Sequence, residues 1–356
     1  MEQINVLMIG SDMSVKGGMV TVIRNYLDYQ DWGNVNITFI PTHVERSAAE
    51  KISCFRKGLR ETKKLCKDGK ADVVHMHMSE RGSFFRKAQI IKICNRYGIP
   101  SIVHHHGAEF EVFYDGSPKW LKKYIRKMLA AASLNLVLSK RLTELIYRVS
   151  PQAKVDYLYN AVPAPEENAY SLQASNILFL GRLGQRKGTY DLLHAMKAID
   201  SRLPEEIKLY LCGDGEIEET KKAVQELGLE HRVLKIGWIG KEEKAEILSD
   251  VCMNVLPSYH EGLPMTILET MANGIPNIST NIASIPEVIT DGETGLLLEP
   301  GDVDTLGNAI LRLVKDDSLR KKISRSSFAL IKEQFDLACH IKKLKSYYNQ
   351  VLQKKN

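Results

Sequence analysis

The 356-residue sequence contains no long hydrophobic run. None of its apolar stretches approaches the roughly 18 residues that a membrane-spanning helix needs. The N-terminal stretch MEQINVLMIG has no basic segment ahead of its apolar part, so no secretory signal is predicted. The six cysteines are scattered and include no Cys-x-x-Cys pair, which predicts reduced thiols in a cytoplasmic protein rather than a disulfide framework.

Several motifs of known catalytic sites are absent or incomplete. The Walker pattern GxxxxGK[ST] does not occur, which argues against an ATPase of that kind. Gly213-Asp214-Gly215 lacks the third glycine and the acidic residue of a dinucleotide fingerprint, so it predicts a tight turn. His75-x-His77 and His104–His106 come without a third-ligand pattern such as HExxH, and we interpret them as strand-end histidines lining a cleft rather than as zinc ligands.

Positive charge is concentrated in the first half of the chain. The net charge is +6, yet residues 1–165 contain 25 Lys and Arg against 15 Asp and Glu, whereas the remainder has 24 against 28. The first half is therefore predicted to touch an anionic partner. Nucleic acid is not favoured as that partner, because no reader motif or set of stacking aromatics accompanies the charge.

Buried-strand patterns alternate with helical patterns along the whole chain, which predicts doubly wound parallel sheets. The length favours two domains, and the series restarts after the aperiodic segment 160–175, which we interpret as the interdomain linker. We therefore predict Rossmann-like domains over 1–165 and 166–330 and a C-terminal helix over 331–356. The predicted strands are INVLMIG, VNITFI, DVVHMHM, SIVHHH and LNLVLS in the first half, and NILFLG, IKLYLCG, RVLKIG, CMNVLP and IPNIST in the second.

The stretch HEGLPMTILET (260–270) follows a predicted strand and opens a helix. Pro264 favours a helix start near residues 263–265, and the first-turn amides of such a helix form an anion site. Glu261 lies at the helix mouth, and Glu269 lies off the apolar face, so both carboxylates are placed to bind sugar hydroxyls. A turn glutamate and a solvated helix glutamate are the alternative interpretation.

A second anion site is predicted in FLGRLGQRKGTYDLLHAM (179–196). Arg182 and Lys187 stand between a strand and a helix opened by Gly188 and Thr189, an arrangement suited to a diphosphate without a metal ion. The alternative is that both cations are merely solvated on a loop.

Two helices of the first half, 51–67 and 119–130, are basic and amphipathic. Packing of the apolar stripe, which includes Ile52, Phe55 and Leu59 in the first of them, on a sheet is the favoured interpretation. Contact with anionic lipid is the alternative.

Together these motifs resemble the retaining, nucleotide-sugar-dependent glycosyltransferase family 4. The C-terminal resemblance rests on Arg182…Lys187-Gly188, on Gly213-Asp214-Gly215, on Glu261-Gly262-Leu263-Pro264…Glu269-x-Met271-Ala272-x-Gly274-x-Pro276 and on 283–306. The segments 16–27, 72–79 and 103–110 resemble the family in the first half. The resemblance implies a GT-B fold, two Rossmann-like domains that face each other across a cleft, with the donor held by the second and the C-terminal helix packed on the first.

The resemblance also implies roles for individual residues. Arg182 and Lys187 hold the donor diphosphate in place of a metal ion, Glu269 binds the ribose, and Glu261 lies near the donor hexose. Gly18 borders the phosphates and His106 faces the donor sugar. The implied catalytic residues are Glu261, His106, Arg182 and Lys187; the implied donor-binding residues are Gly18, Arg182, Lys187, Gly213, Glu261, Gly262, Leu263, Pro264, Met265, Thr266 and Glu269. No cofactor and no metal ion are expected.

We therefore predict a bacterial surface-polysaccharide type of hexosyltransferase. Its donor is a UDP-sugar or, as the second choice, GDP-mannose, and its acceptor is a glycan or a polyprenyl-linked glycan. The expected location is the cytoplasm, with the basic first domain in peripheral contact with the inner face of an anionic membrane. A GT-B sugar-nucleotide epimerase, a phosphorylase and a catalytically silent partner subunit are the alternatives.

Overall fold

The computed structural model describes residues 3–353. Residues 1–2 and 354–356, the outermost ends of the predicted first domain and C-terminal helix, lie outside the described residues. The chain forms two compact units: unit 1 runs to Ala161 and resumes at Leu337, and unit 2 is Val162–Asp336. The predicted boundaries are 165/166 and 330/331. Among the described residues, no helix combines the length and the apolarity of a membrane span.

Unit 1 is built on a parallel sheet with the strand order β2-β1-β3-β4-β5-β6. The central strands are buried on both faces, as their continuous apolar runs predict. The strands are β1 Ile4–Gly10, β2 Val35–Pro41, β3 Val73–Met78, β4 Ser101–His105, β5 Leu134–Val137 and β6 Val155–Tyr157. The helices are α1 Gly18–Asp28, α2 Ala48–Lys67, α3 Gly82–Tyr97, α4 Phe110–Asp115, α5 Lys119–Ala131 and α6 Lys140–Val149.

Unit 2 contains a second parallel sheet, with the strand order β12-β11-β10-β7-β8-β9. The strands are β7 Asn176–Leu180, β8 Leu209–Cys212, β9 Val233–Gly237, β10 Val251–Leu256, β11 Asn277–Thr280 and β12 Leu296–Leu298. The helices are α7 Thr189–Ile199, α8 Ile217–Glu226, α9 Lys241–Ser249, α10 Met265–Ala272, α11 Val303–Lys315 and α12 Asp317–Leu330. Chain order reverses between β7 and β10, the switch point at which such sheets bind ligands.

The last helix, α13 (Leu337–Gln353), returns the chain to unit 1. A π-helical turn, Ile331–Phe335, joins it to α12. The α13 side chains Tyr348 and His340 are buried and contact the interior of unit 1: the Tyr348 hydroxyl lies 2.8 Å from His75 Nδ1, and His340 Nε2 lies 2.5 Å from the Tyr26 hydroxyl. The helix is therefore part of the unit 1 core.

The structure departs from the predicted elements at three places. The strands β6 and β12, which are three residues long and lie at sheet edges, were not predicted. The segment 162–175 belongs to unit 2, where the Tyr170 hydroxyl donates to the Cys252 carbonyl at 2.8 Å. Ile52 of α2 was assigned to a packed stripe but is 53% exposed, because α2 buries mainly Gly58, Thr62 and Cys66.

Candidate active site

The switch point of the second sheet brings together two loops that are distant in sequence. One follows β7 and continues into α7; the other follows β10 and continues into α10. Because β7 and β10 are adjacent parallel strands, their carboxyl ends lie side by side. The two predicted anion sites, 179–196 and 260–270, thus share one edge of unit 2.

Lys187 and Glu261 form a direct ion pair at this edge. Lys187 Nζ contacts Glu261 Oε1, and the Ser258 hydroxyl donates to the same oxygen at 2.7 Å. The side chains of the pair are only 14% and 6% exposed. A buried carboxylate needs a charged or hydrogen-bonding partner, and Glu261 has both. Lys187 and Glu261 are therefore held as one unit at the ligand-binding edge of the sheet.

Gly188 determines the position of the Lys187 side chain. Gln185–Lys187 form a short 3₁₀ turn, and Gly188 follows it with φ +72°, directly before α7. A Cβ at position 188 would lie 2.1 Å from the Pro257 carbonyl oxygen. Gly188 thus allows the turn to approach the end of β10, which places Lys187 within reach of Glu261.

Arg182 lies on a different part of the same edge. Its guanidinium is 3.5 Å from Asp214 and the side chain is 61% exposed. The loops after β7 and β8 are joined by backbone hydrogen bonds, with Leu183 N donating to Asp214 O at 2.6 Å and Glu216 N donating to Leu183 O at 3.1 Å. The Gly213-Asp214-Gly215 segment is thus a tight turn, as predicted, and it holds Arg182 beside a carboxylate.

Gly213 is required by this close approach. A Cβ at position 213 would lie 1.7 Å from the Gly181 carbonyl oxygen, whereas one at Gly181 would lie 3.6 Å from the nearest side chain. Gly213→Ala is expected to lower the free energy of unfolding of unit 2 by about 1–3 kcal/mol, since the two backbones must separate. Gly181→Ala is the matched control and should leave it nearly unchanged. Urea unfolding of both variants tests this, and equal stabilities would contradict it.

Helix α10 begins within the predicted range of residues 263–265. Pro264 is the N-cap and Met265 the first helical residue. Gly262, Leu263, Pro264 and Met265 are buried, and Thr266 is half-buried. The predicted apolar face is confirmed, with Ile267, Leu268, Met271 and Ile275 buried. The helix therefore packs firmly while its first turn stands beside Glu261.

Glu269 pairs with a residue that the sequence did not single out. Its Oε2 atom lies 2.8 Å from Lys244 Nζ of α9, and both side chains are partly buried. Glu269 is thus held off the apolar face of α10, as the helical period predicts.

The two candidate residues of unit 1 lie on loops after strands of the first sheet. Gly18 is exposed at the first position of α1, after Gly17 with φ +131°. His106 follows β4 and is half-buried; its Nε2 lies 2.9 Å from His77 Nδ1. The Nδ1 edge of the His106 ring is therefore the one left to face a ligand.

His106 belongs to a buried histidine cluster. Ring contacts join His75, His77, His104 and His106. We count with them His340, which is linked through Tyr26, and His105, which lies on the other face of β4 and contacts Asn135 and Phe110. Burial lowers the pKa of His75, His106 and His340 to about 3 and that of His105 to about 4, and it holds the pKa values of His77 and His104 well below their usual range. All six imidazoles are therefore neutral at pH 7.

Three members of this cluster are grouped closely enough to suggest metal ligands. One nitrogen from each of His75, His77 and His104 lies within 4.8 Å of the others. The rings of His75 and His77 are stacked, with centroids 4.6 Å apart. Tetrahedral zinc with bonds of about 2.0–2.1 Å needs ligand nitrogens roughly 3.4 Å apart. Stacked neutral rings are the simpler description of this geometry.

The comparisons with known proteins indicate the class of enzyme. Residues 165–329 match the family described as Glycosyl transferases group 1. A UDP-Gal:alpha-D-GlcNAc-diphosphoundecaprenol alpha-1,3-galactosyltransferase of Escherichia coli is 29% identical over 342 residues, which cover 90% of this chain and 85% of the relative. The chain is a glycosyltransferase with a group 1 domain. The predicted enzyme class is confirmed.

Solved structures resemble this glycosyltransferase over almost its full length. Sucrose-phosphate synthase from Thermosynechococcus elongatus has a TM-score of 0.78 at 18% identity and covers 99% of this chain and 100% of its own. Anabaena HepE, solved in complex with UDP and glucose, has a TM-score of 0.76 at 15% identity and covers 98% and 100%. These likenesses confirm the predicted GT-B fold.

Two polar contacts of the glycosyltransferase site were missed in the sequence. Ser258 anchors Glu261, and Lys244 neutralises Glu269. Ser258 could have been found, because it follows the buried strand β10 by two residues and so stands at the ligand-binding edge. Lys244 could not, because it is one of several charged residues on a predicted surface helix. At this edge of the unit 2 sheet, the cationic side chains and the carboxylates are therefore already joined in ion pairs.

Proposed function

We propose that this protein is a retaining, metal-independent hexosyltransferase of family 4 that uses a UDP-sugar and a polyprenyl-diphosphate-linked glycan acceptor. The observation that carries the proposal is the buried Lys187–Glu261 pair beside the first turn of α10. It places a cation, a carboxylate and a helix N-terminus at one switch point, and together they suit the diphosphate and the hydroxyls of a nucleotide sugar.

In this proposal Lys187 binds the leaving diphosphate of the donor. Negative charge grows on the diphosphate as the glycosidic bond breaks, and a positioned ammonium stabilises it in the transition state. When the diphosphate takes over Lys187, Glu261 is released from its ion pair but stays anchored by Ser258. The carboxylate is then available to a hydroxyl of the donor hexose, so donor binding itself prepares the sugar site.

In this proposal Arg182 binds a phosphate oxygen of the nucleotide and Glu269 binds its ribose. Arg182 is exposed and bound only loosely to Asp214, so its guanidinium can turn to a phosphate oxygen. Glu269 is partly buried and held by Lys244, which suits a carboxylate that accepts hydrogen bonds from the ribose. The roles of Gly18 and His106, which belong to unit 1, stay predictions.

The choice of substrates rests on relatives and on charge. The E. coli relative is named for UDP-galactose and a diphosphoundecaprenol acceptor, and HepE was solved with UDP and glucose. The basic unit 1 suits an acceptor that carries a diphosphate. These observations favour a UDP-sugar over GDP-mannose.

We also propose that unit 1 lies against an anionic membrane surface. Trp120 of the basic helix α5 is 68% exposed and Ile52 of the basic helix α2 is 53% exposed. Large apolar side chains among lysines are typical of helices that lie in a lipid interface. A protein that takes a polyprenyl-linked acceptor has to reach it at that surface.

A donor screen tests the proposed function. Purified protein is incubated in EDTA with UDP-galactose, UDP-glucose, UDP-N-acetylglucosamine and GDP-mannose, with and without a short-chain polyprenyl diphosphate glycan. We expect one UDP-sugar to release UDP, faster with acceptor, and the product to keep the α configuration by NMR.

Other results would assign a different activity or none. Conversion of a sugar nucleotide without an acceptor would indicate an epimerase, and phosphate-dependent cleavage of the glycan a phosphorylase. Turnover that EDTA abolishes and Mg²⁺ or Mn²⁺ restores would refute metal independence. No release of nucleoside diphosphate from any donor would leave a catalytically silent subunit and refute the proposal.

A further inference from the structure

A second group of cations lies in unit 1, at the carboxyl-terminal edge of its sheet. Thr42 and His43 follow β2 directly, and Arg86 and Lys87 lie in the second turn of α3, the helix after β3. The Asp12 amide donates to the His43 carbonyl at 2.8 Å, which ties the loop after β2 to the end of β1. Ligands of parallel sheets bind at this edge.

Lys87 is buried without a counter-ion. Its side chain is inaccessible to solvent, and its Nζ donates to the Thr42 hydroxyl at 3.0 Å. The Nε atom of neighbouring Arg86 is also buried and has no hydrogen-bond partner within residues 3–353. The ion pairs in the described part of unit 1 join Arg46, Arg81 and Arg148 to acidic residues, and Arg86 and Lys87 take part in none of them.

His43 and Lys51 add further basic groups around Arg86 and Lys87. Burial lowers the pKa of His43, and the positive charges of Arg86, Lys51 and Lys87 lower it further, whereas the Glu45 carboxylate acts in the opposite direction. Burial and the Arg86 charge lower the pKa of Lys87 to about 7. A buried amine beside a half-buried guanidinium destabilises a fold when neither has a counter-ion, so a chain that keeps both gains something else from them.

We propose that Arg86, Lys87 and His43 form an anion site that binds the diphosphate of the acceptor. Arg86 makes the direct contact through its planar guanidinium, His43 closes one side, and Lys87 supplies positive charge from beneath. The bound diphosphate provides the missing counter-charge. The inference rests on the proposed function, since it names the feature of the acceptor that unit 1 recognises.

Lys87→Met and Arg86→Gln test the site, with Arg96→Gln, an exposed residue of the same helix, as the matched control. Inorganic pyrophosphate is titrated calorimetrically at pH 7.5 into the full-length protein with UDP in excess, so that the proposed donor site in unit 2 is occupied. We expect each test variant to weaken binding at least tenfold and the control to bind like the wild type. Lys87→Met should fold and be at least as stable as the wild type, because methionine fills the same volume without a buried charge.

Proton uptake gives a readout that a structural role would not produce. The titratable and charged groups around Lys87 are Arg86, Cys54, His43, His77 and Lys51, together with the carboxylates of Asp12, which acts on Cys54, and Glu45, which acts on His43. A bound anion opposes the burial that keeps the Lys87 amine neutral. Pyrophosphate binding at pH 7.5 should therefore take up more than half a proton, measured from the dependence of the heat on buffer ionisation enthalpy. Lys87→Met should remove most of that uptake. Uptake and affinity that stay within twofold of the wild type in both variants would overturn the proposal.

Kinetics separate the acceptor diphosphate from a lipid headgroup. The KM for a diphosphate-bearing acceptor should rise at least tenfold in both variants, whereas binding to phosphatidylglycerol vesicles should not change. Loss of vesicle binding with an unaltered acceptor KM would overturn the assignment to the acceptor. If the wild type releases no nucleoside diphosphate from any donor, the proposed function fails, while the pyrophosphate titration still decides whether the anion site exists.

Discussion

Lys187→Met is expected to lower kcat for sugar transfer by about 10²–10³-fold, the typical cost of removing one group that stabilises developing negative charge. The same change leaves Glu261 in a buried position without its cation, so the free energy of unfolding of unit 2 should fall by about 3–5 kcal/mol. Steady-state kinetics at saturating donor and urea unfolding measure the two effects separately.

A double variant separates catalysis from stability. In Lys187→Met/Glu261→Gln the neutral amide still accepts the Ser258 hydrogen bond, so most of the lost stability should return while activity stays low. Lys197→Met, an exposed lysine in the last turn of α7, is the control and should alter neither quantity. If Lys187→Met is destabilised but transfers sugar at the wild-type rate, the lysine has a structural role and the proposed mechanism is wrong.

The sequence predicted the sheets because parallel strands buried on both faces leave continuous apolar runs. Ten runs were sufficient to predict two Rossmann-like units. The strands β6 and β12 were missed for a physical reason: each has three residues at a sheet edge, too few for a periodic pattern to show. Strand order, by contrast, cannot be read from such runs, because it depends on crossovers that leave no local signal.

The same limit applies to the candidate site. The positions of glycines and of strand ends in the sequence were enough to predict Lys187 and Glu261 as site residues one by one. Their contact could not be predicted, because it joins residues 74 positions apart and depends on β7 and β10 being neighbours in the sheet. The burial of Lys87 could not be predicted from the sequence for a different reason. It stands next to an arginine on a charged helix, where a solvated lysine is the ordinary expectation, and only its packing shows that it is buried.

Unit 1 is expected to unfold in mild acid, between about pH 6 and pH 5. The six histidines of the cluster bind protons in the unfolded chain with a pKa near 6.5, but burial keeps their pKa values far lower in the folded chain. Below pH 6.5 the unfolded state therefore binds more protons, and stability falls as the pH falls. At pH 5 this amounts to about 2 kcal/mol for each histidine, so the six together reach about 12 kcal/mol, which is comparable to the 5–15 kcal/mol that stabilises a typical domain.

Hydrogen exchange followed by mass spectrometry at pH 7.5 and 5.5 tests this unit by unit. Peptides from β3, β4 and α13 should lose protection at the lower pH, whereas peptides from β7 and β10 should keep it. His77→Gln removes one titrating group and should reduce the stability difference between the two pH values by about 1.4 kcal/mol. His194→Gln, an exposed histidine of α7, should leave that difference unchanged. If unit 2 loses protection at a higher pH than unit 1, the buried imidazoles do not determine the pH at which the protein unfolds in acid.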